Sequence, residues 1–255
     1  MGRKTSRTND RNQRIAQQAL ATLVMDIDLD PRELDIKHRR AAPDSGYKKR
    51  VKPKTEKQKE MMEAIENASI IFGIGPAGTG KTYIAVRKAL ELLATNQVNK
   101  IILSRPAVEA EGEKLGFLPG DMQEKLHPYM LPLYDILKEA MGQQTLNSMM
   151  ANGQIELCPL AFMRGRTFSN AAIVLDEMQN ATTGQIKMAL TRMGEGTKAI
   201  VTGDPNQSDL DPKMSGLVFC ANALRGSPEI EIVRFDRSEI VRSAIVSVVL
   251  EALGE

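Results

Sequence analysis

The sequence predicts an α/β fold, a mostly parallel β-sheet with helices on both faces. Short apolar runs alternate with stretches of helical period from residue 51 onward. One of these runs leads into the glycine-rich octapeptide GPAGTGKT at residues 75–82, and another ends on the adjacent acids Asp176 and Glu177. Strands joined by crossover helices lie parallel, so their carboxyl ends share one edge of the sheet, where open sheets bind ligands.

Residues 69–73 (SIIFG) read as a buried strand. Residues 83–94 read as the helix that follows, with Ile84, Ala85, Ala89, Leu92 and Leu93 at helical spacing. Between them the octapeptide fits GxxxxGK followed by Ser or Thr, in the strand–loop–helix context that a phosphate-binding loop requires. Gly75, Pro76, Ala77, Gly78, Thr79, Gly80, Lys81 and Thr82 are therefore the candidate phosphate-binding residues. Glycines let the chain turn back with its amide hydrogens inward, and the helix N-terminus adds partial positive charge where β-phosphate oxygens sit. Lys81 places a cation between the β- and γ-phosphates, and the Thr82 hydroxyl is a candidate Mg²⁺ ligand.

Upstream, Thr55 caps a helix running to about Asn67, with Met61, Met62 and Ile65 as its buried side. Gln58, at its third position, has two readings that stay open: completing a capping box, or hydrogen-bonding an adenine edge. Downstream, residues 100–104 (KIILS) form a second strand and residues 107–120 a loop. Residues 121–140 are helical but interrupted at Pro128 and Pro132, residues 143–150 are helical, and residues 154–157 form a short strand. The apolar strand 171–175 (AAIVL) then delivers Asp176 and Glu177. Phosphate-loop enzymes hold their metal through such an arrangement, so Asp176 is the candidate Mg²⁺ ligand and Glu177 the candidate base toward the attacking water. A helix from Thr182 or Thr183 to about Met193 and a strand at 199–202 lead to the turn 203–207, where Gln207 can orient water or sense hydrolysis. The chain closes with a helix at 217–224, an alternating edge strand at 229–234 and a helix at 236–253. Together these define a RecA-like P-loop domain over residues 51–255, preceded by a basic, largely flexible tail over residues 1–50.

At 255 residues and 42% hydrophobic content the chain holds one medium α/β domain and a tail. Charge is uneven: residues 1–54 contain 14 Lys/Arg against 7 Asp/Glu, and the remainder 20 against 25. Such a basic tail fits either an anionic polymer such as RNA, bound by counterion release, or a solvated arm. Cys158 and Cys220 are too few and too far apart for a disulfide framework or a four-cysteine zinc site, and read as two buried thiols. No apolar run approaches the ~20 residues that span a bilayer. A cytoplasmic protein without membrane contact is expected.

Three segments, GPAGTGKT at 75–82, DEMQ at 176–179 and GDPNQ at 203–207, resemble motifs I, II and III of superfamily 1 helicases. More closely, SRPAVEA from Ser104, KLGFLPGD from Lys114, FMRGRTF from Phe162, LDEMQN from Leu175, IVRF from Ile232 and VRS from Val241 are similar to the PhoH family of ATPases. The resemblance implies Mg²⁺-dependent ATP binding and hydrolysis by a single RecA-like domain that lacks the second motor domain of helicases. It assigns phosphate and Mg²⁺ binding to Lys81 and Thr82, metal and water to Asp176 and Glu177, and γ-phosphate reading to Gln207. The chain departs from the family pattern at Glu111, Gly112 and Glu113, which make that loop one residue longer, and at Met178, where alanine is usual. The N-terminal segment is too short to supply the PIN-type nuclease domain of some family members.

A two-domain helicase closes its site with an arginine from the second domain. Here the expectation is a head-to-tail ring of identical subunits, a hexamer, with an arginine acting in trans. Arg242 is the first candidate and Arg164 and Arg166 the next, each with a surface salt bridge as its ordinary alternative. Two functional classes follow: an ATPase coupled to RNA or single-stranded DNA, and an ATP-dependent switch or scaffold for a protein partner. Only 4% aromatic residues and no tryptophan weigh against a stacking groove for single strands.

Overall fold

Alternation within the apolar runs decides which side of the sheet each residue serves, because successive strand side chains point to opposite faces. The computed structural model describes residues 51–106, 122–210 and 215–241. In chain order the elements are α1 (Glu56–Asn67), β1 (Ile70–Ile74), α2 (Lys81–Ala94), β2 (Lys100–Ser104), α3 (Met122–Met141), α4 (Gln143–Ala151) and β3 (Ile155–Leu157), followed by β4 (Ala171–Leu175), α5 (Thr183–Leu190), β5 (Lys198–Gly203), α6 (Leu217–Ala223) and β6 (Ile230–Arg234). Six strands form one sheet in the order β3-β2-β4-β5-β1-β6, every neighbouring pair parallel. The loop at 107–120 and the tail at 1–50 lie outside the described residues.

Ile71, Ile101, Leu103, Val174 and Ile200 pack under α1 to α4 in one core. Their chain neighbours Phe72, Ile102, Ile173, Leu175 and Val201 pack against α5 and α6 in the other. Helices therefore cover both faces, as the near-continuous apolar strands require: a parallel sheet must be buried on both sides. Both cysteines are buried, and burial, with Glu156 adding to it, pushes the Cys158 thiol up to about 12.

Polar contacts join α1 to its neighbouring helix and to the sheet. Lys88 on α2 reaches Glu66 of α1 at 2.6 Å and Glu91 of its own helix at 2.9 Å. Lys198 at the start of β5 donates to the carbonyls of Glu66 and Ala68, satisfying orphan acceptors at the end of α1.

The structure corrects three expectations. Pro128 and Pro132 do not interrupt α3; both are exposed, Pro132 toward the cleft described below, so water can satisfy the carbonyls that proline leaves unpaired. The helix expected to reach Met193 ends at Leu190, after a start reinforced by a capping box between Thr182 and Gln185. Residues 236–241 do not begin a closing helix: Asp236 caps a single 3-10 turn over Arg237–Glu239, and residues 242–253 lie outside the described residues.

The inner face of α3 rests on Leu133 and Leu137, both fully buried, while Leu131 is 40% exposed. Leu137→Ala should lower the unfolding free energy in urea by about 2–5 kcal/mol, against about 0.5 kcal/mol or less for Leu131→Ala. Equal losses would mean that α3 packs by another face.

Candidate functional site

The loop between β1 and α2 follows a path that only glycine takes easily. Gly75 has φ 151°, and a Cβ built there would lie 2.4 Å from the carbonyl oxygen of Phe235. Gly80, at φ 80°, precedes the first helical residue, and a Cβ there would meet Gln58 Nε2 at 2.9 Å. The turn brings Lys81, the first residue of α2, back over the loop. Its Nζ donates to the carbonyls of Gly75 at 2.7 Å and Pro76 at 2.6 Å, and to the Thr79 hydroxyl at 3.2 Å. Burial lowers the Lys81 pKa from its ordinary 10.5, opposed by the carboxylates of Asp204, Glu177 and Asp176.

One residue further, the Thr82 hydroxyl donates to Asp176 Oδ1 at 2.7 Å, across 94 positions of chain. Thr202, near the end of β5, donates to the same oxygen at 2.5 Å. The other oxygen of Asp176 accepts Arg105 Nε at 2.7 Å and Nη2 at 2.5 Å. Arg105 follows the last residue of β2, and its Nη1 also holds the Tyr129 carbonyl on α3 at 3.2 Å. Asp176 is thus 1% exposed yet fully partnered. Thr82 and Asp176 offer hard oxygen donors side by side. No cluster of three or more metal-ligating side chains occurs among the described residues. That donor set suits Mg²⁺, which binds through one or two protein oxygens, phosphates and water rather than a protein cage.

Glu177 stands at φ 56°, a strained left-handed conformation for a non-glycine residue, with its side chain 45% exposed. Gln179, buried on the 3-10 turn after it, donates to Glu177 Oε2 at 2.6 Å and to the Gln207 carbonyl at 3.5 Å. Its own Oε1 accepts the Asp204 amide at 3.1 Å. Asp204 in turn accepts the Ala77 amide of the phosphate loop at 2.9 Å. The two acidic turns and the loop are therefore one connected polar unit.

The structure brings Ala77, Gly78, Gly80, Lys81, Thr82, Asp176, Glu177 and Gln207 to the rim of one open cleft of about 410 Å³. Gly75, Pro76 and Thr79 belong to the same turn, as acceptors of Lys81. Gln58 does not line this cleft. Nor does it close the expected capping box: Thr55 accepts the Gln58 amide, but Gln58 Oε1 accepts from Lys54 and its Nε2 donates to the Thr79 carbonyl. With both ends of its amide so engaged and the side chain 5% exposed, it braces the loop from behind instead of presenting an edge to a base.

Of the arginine candidates, Arg166 is held in an ion pair with Glu156 and stacks 4.6 Å from the Phe168 ring, so a neighbour's phosphate would have to break both contacts. Arg164 is exposed. Arg242 lies outside the described residues. Sequence reasoning assigned no role to Arg105, Gln179, Thr202 or Asp204. Arg105, Gln179 and Asp204 stand inside the segments SRPAVEA, DEMQ and GDPNQ, whereas the only signal for Thr202 was its position near the carboxyl end of β5. No helix among the described residues is long and apolar enough to cross a membrane.

Comparison with known proteins agrees with the motifs. The family model for PhoH-like protein matches residues 50–254. A PhoH-like protein of Bacillus subtilis is 49% identical over 206 residues, covering 80% of this chain and 64% of the relative. One from Mycobacterium tuberculosis (strain ATCC 25618 / H37Rv) is 49% identical over 220 residues, covering 86% and 60%. Protein PhoH of Escherichia coli K12 is 43% identical over 202 residues, covering 78% and 57%. The chain thus spans less than two thirds of the length of these relatives. The helicase domain of Hef from Pyrococcus furiosus aligns at a TM-score of 0.44 and 14% identity, over 72% of this chain and 38% of that one. With a family model spanning nearly all of residues 51–255 and relatives 43–49% identical over about four fifths of its length, this chain belongs to the PhoH-like protein family.

Proposed function

We propose that the chain binds ATP with Mg²⁺ and hydrolyses it. One observation carries this reading: Lys81, Thr82, Asp176 and Glu177 line a single cleft at the carboxyl edge of the sheet. The amides of the 75–80 turn and the N-terminus of α2 would receive the β-phosphate, and Lys81 would exchange its loop carbonyls for phosphate oxygens. Thr82 and Asp176 would hold Mg²⁺, which when bound neutralises charge on the β- and γ-phosphate oxygens. Glu177, half-exposed and steadied by Gln179, would take a proton from water. The water oxygen bonds to the γ-phosphorus as the bridging bond to ADP breaks, and Gln207 would orient that water.

The finer proposal is coupling to RNA or single-stranded DNA. Its support is the helicase-like motif set together with Phe162, 40% exposed, and the exposed Arg164 two positions on: an exposed ring and an exposed cation on one short segment suit an unpaired strand. We also propose a ring of identical subunits, a hexamer, in which Arg242 or Arg164 reaches a neighbour's γ-phosphate. In the competing reading, ATP switches assembly with a protein partner.

Lys81→Ala should weaken ATP binding about 10- to 100-fold, the worth of a charged hydrogen-bond donor. Glu177→Gln should keep ATP bound and slow turnover at least ~100-fold; normal turnover would remove Glu177 from the chemistry. RNA or single-stranded DNA should raise the ATPase rate, with stimulation falling steeply as salt rises; an indifferent rate favours the protein-partner switch. Particle mass in solution should rise to a ring when MgATP is added, and full-rate hydrolysis by a monomer would dismiss the trans arginine.

A further inference from the structure

The guanidinium of Arg105 neutralises the same carboxylate, Asp176, that the nucleotide reading gives to Mg²⁺. Its Nε and Nη2 both point at Asp176 Oδ2, and Nη2 is also 3.9 Å from Glu177 Oε1. Arg105 lines the same cleft as Lys81 and Thr82 and keeps 13% of its side chain exposed toward it. Asp176 is 1% exposed, and its other oxygen is already occupied by the Thr82 and Thr202 hydroxyls. A dication approaching this carboxylate meets a resident cation first. A triphosphate changes the balance, because it offers a guanidinium a denser anionic partner and a geometry that matches the planar fork.

We infer that Arg105 is a phosphate-binding residue of this site, kept on Asp176 as a counter-cation until a triphosphate draws it away. The inference rests on the nucleotide reading above. Metal then enters with the nucleotide rather than ahead of it, and the positive charge near the γ-phosphate comes from the chain itself as well as from any neighbour. The same exchange reaches α3, since Nη1 of Arg105 holds the Tyr129 carbonyl. A guanidinium serves here where an ammonium would not: its donors sit on three separate nitrogens, so Nε and Nη2 can hold Asp176 while Nη1 holds the Tyr129 carbonyl, which one ammonium nitrogen cannot match.

Mn²⁺ binding to the full chain, followed by electron paramagnetic resonance, tests this without turnover, after subtracting binding that survives Asp176→Asn. Wild-type protein should bind Mn²⁺ at least ~10-fold more tightly with a non-hydrolysable ATP analogue than alone. Arg105→Gln should bind Mn²⁺ alone at least ~10-fold more tightly than wild type does, because the competing cation is gone. In EDTA, a fluorescent ATP should bind Arg105→Gln ~10-fold more weakly, with ADP affinity changed less than ~3-fold. Three results overturn the inference: tight Mn²⁺ binding by wild-type protein alone, unchanged or weaker Mn²⁺ binding by Arg105→Gln, or equal losses for ATP and ADP. Wild-type protein that binds neither nucleotide would sink the nucleotide reading itself, and the phosphate half of this inference with it. The Mn²⁺ comparison needs no nucleotide, so the two failures are told apart.

Discussion

A carboxylate with almost no access to water has to be paid for in hydrogen bonds, and the carboxylate of Asp176 draws them from three other segments. Thr82 comes from the first turn of α2, Thr202 from β5 and Arg105 from the end of β2. Removing one member of such a buried pair leaves an uncompensated charge, at a cost of about 3–5 kcal/mol in comparable cases. Asp176 therefore fixes where the carboxyl ends of β2, β4 and β5 stand relative to the phosphate loop. The cleft is the space those ends enclose.

Around that anchor the site is built from groups that a purely stable protein would avoid. Lys81 is buried with its positive charge against loop carbonyls, and burial drives its pKa down. Glu177 sits in a left-handed conformation that most residues avoid. Such strain persists only where the surroundings over-determine it, and the supports are visible: Gln179 on Glu177, Asp204 on the Ala77 amide, Gln58 on the Thr79 carbonyl. Gln179 and Asp204 form the tie between the two acidic turns and the loop, and Gln58 braces that loop from α1.

Much of this was legible in the chain. The period-2 and period-3.6 patterns mark the strands and helices because burial on a sheet face or a helix stripe repeats with the backbone geometry. The strand before the loop is displaced by one residue, and α2 begins at Lys81 instead of Tyr83, since the phosphate loop ends directly in the helix. What misled was local chemistry with more than one outlet. Pro128 and Pro132 read as breaks, but a proline on an exposed helix face leaves its unpaired carbonyl to solvent. Gln58 satisfied the spacing of a capping box, yet two other backbone partners, Lys54 and Thr79, claimed its amide.

The sequence by itself determined the class of fold, the phosphate loop and the acid pair, since each depends on residue types at fixed short spacing along a strand, turn or helix. Only the tertiary structure decided the partners of those residues: that Asp176 is shared by Thr82, Thr202 and Arg105, that Gln179 bridges Glu177 and Asp204, and that Arg166 is spent on Glu156. The reason is physical. A short motif is set by backbone conformation over a few residues, whereas the pairing of a buried charge is set by which strand ends the sheet order places side by side, and no spacing along one chain encodes that order.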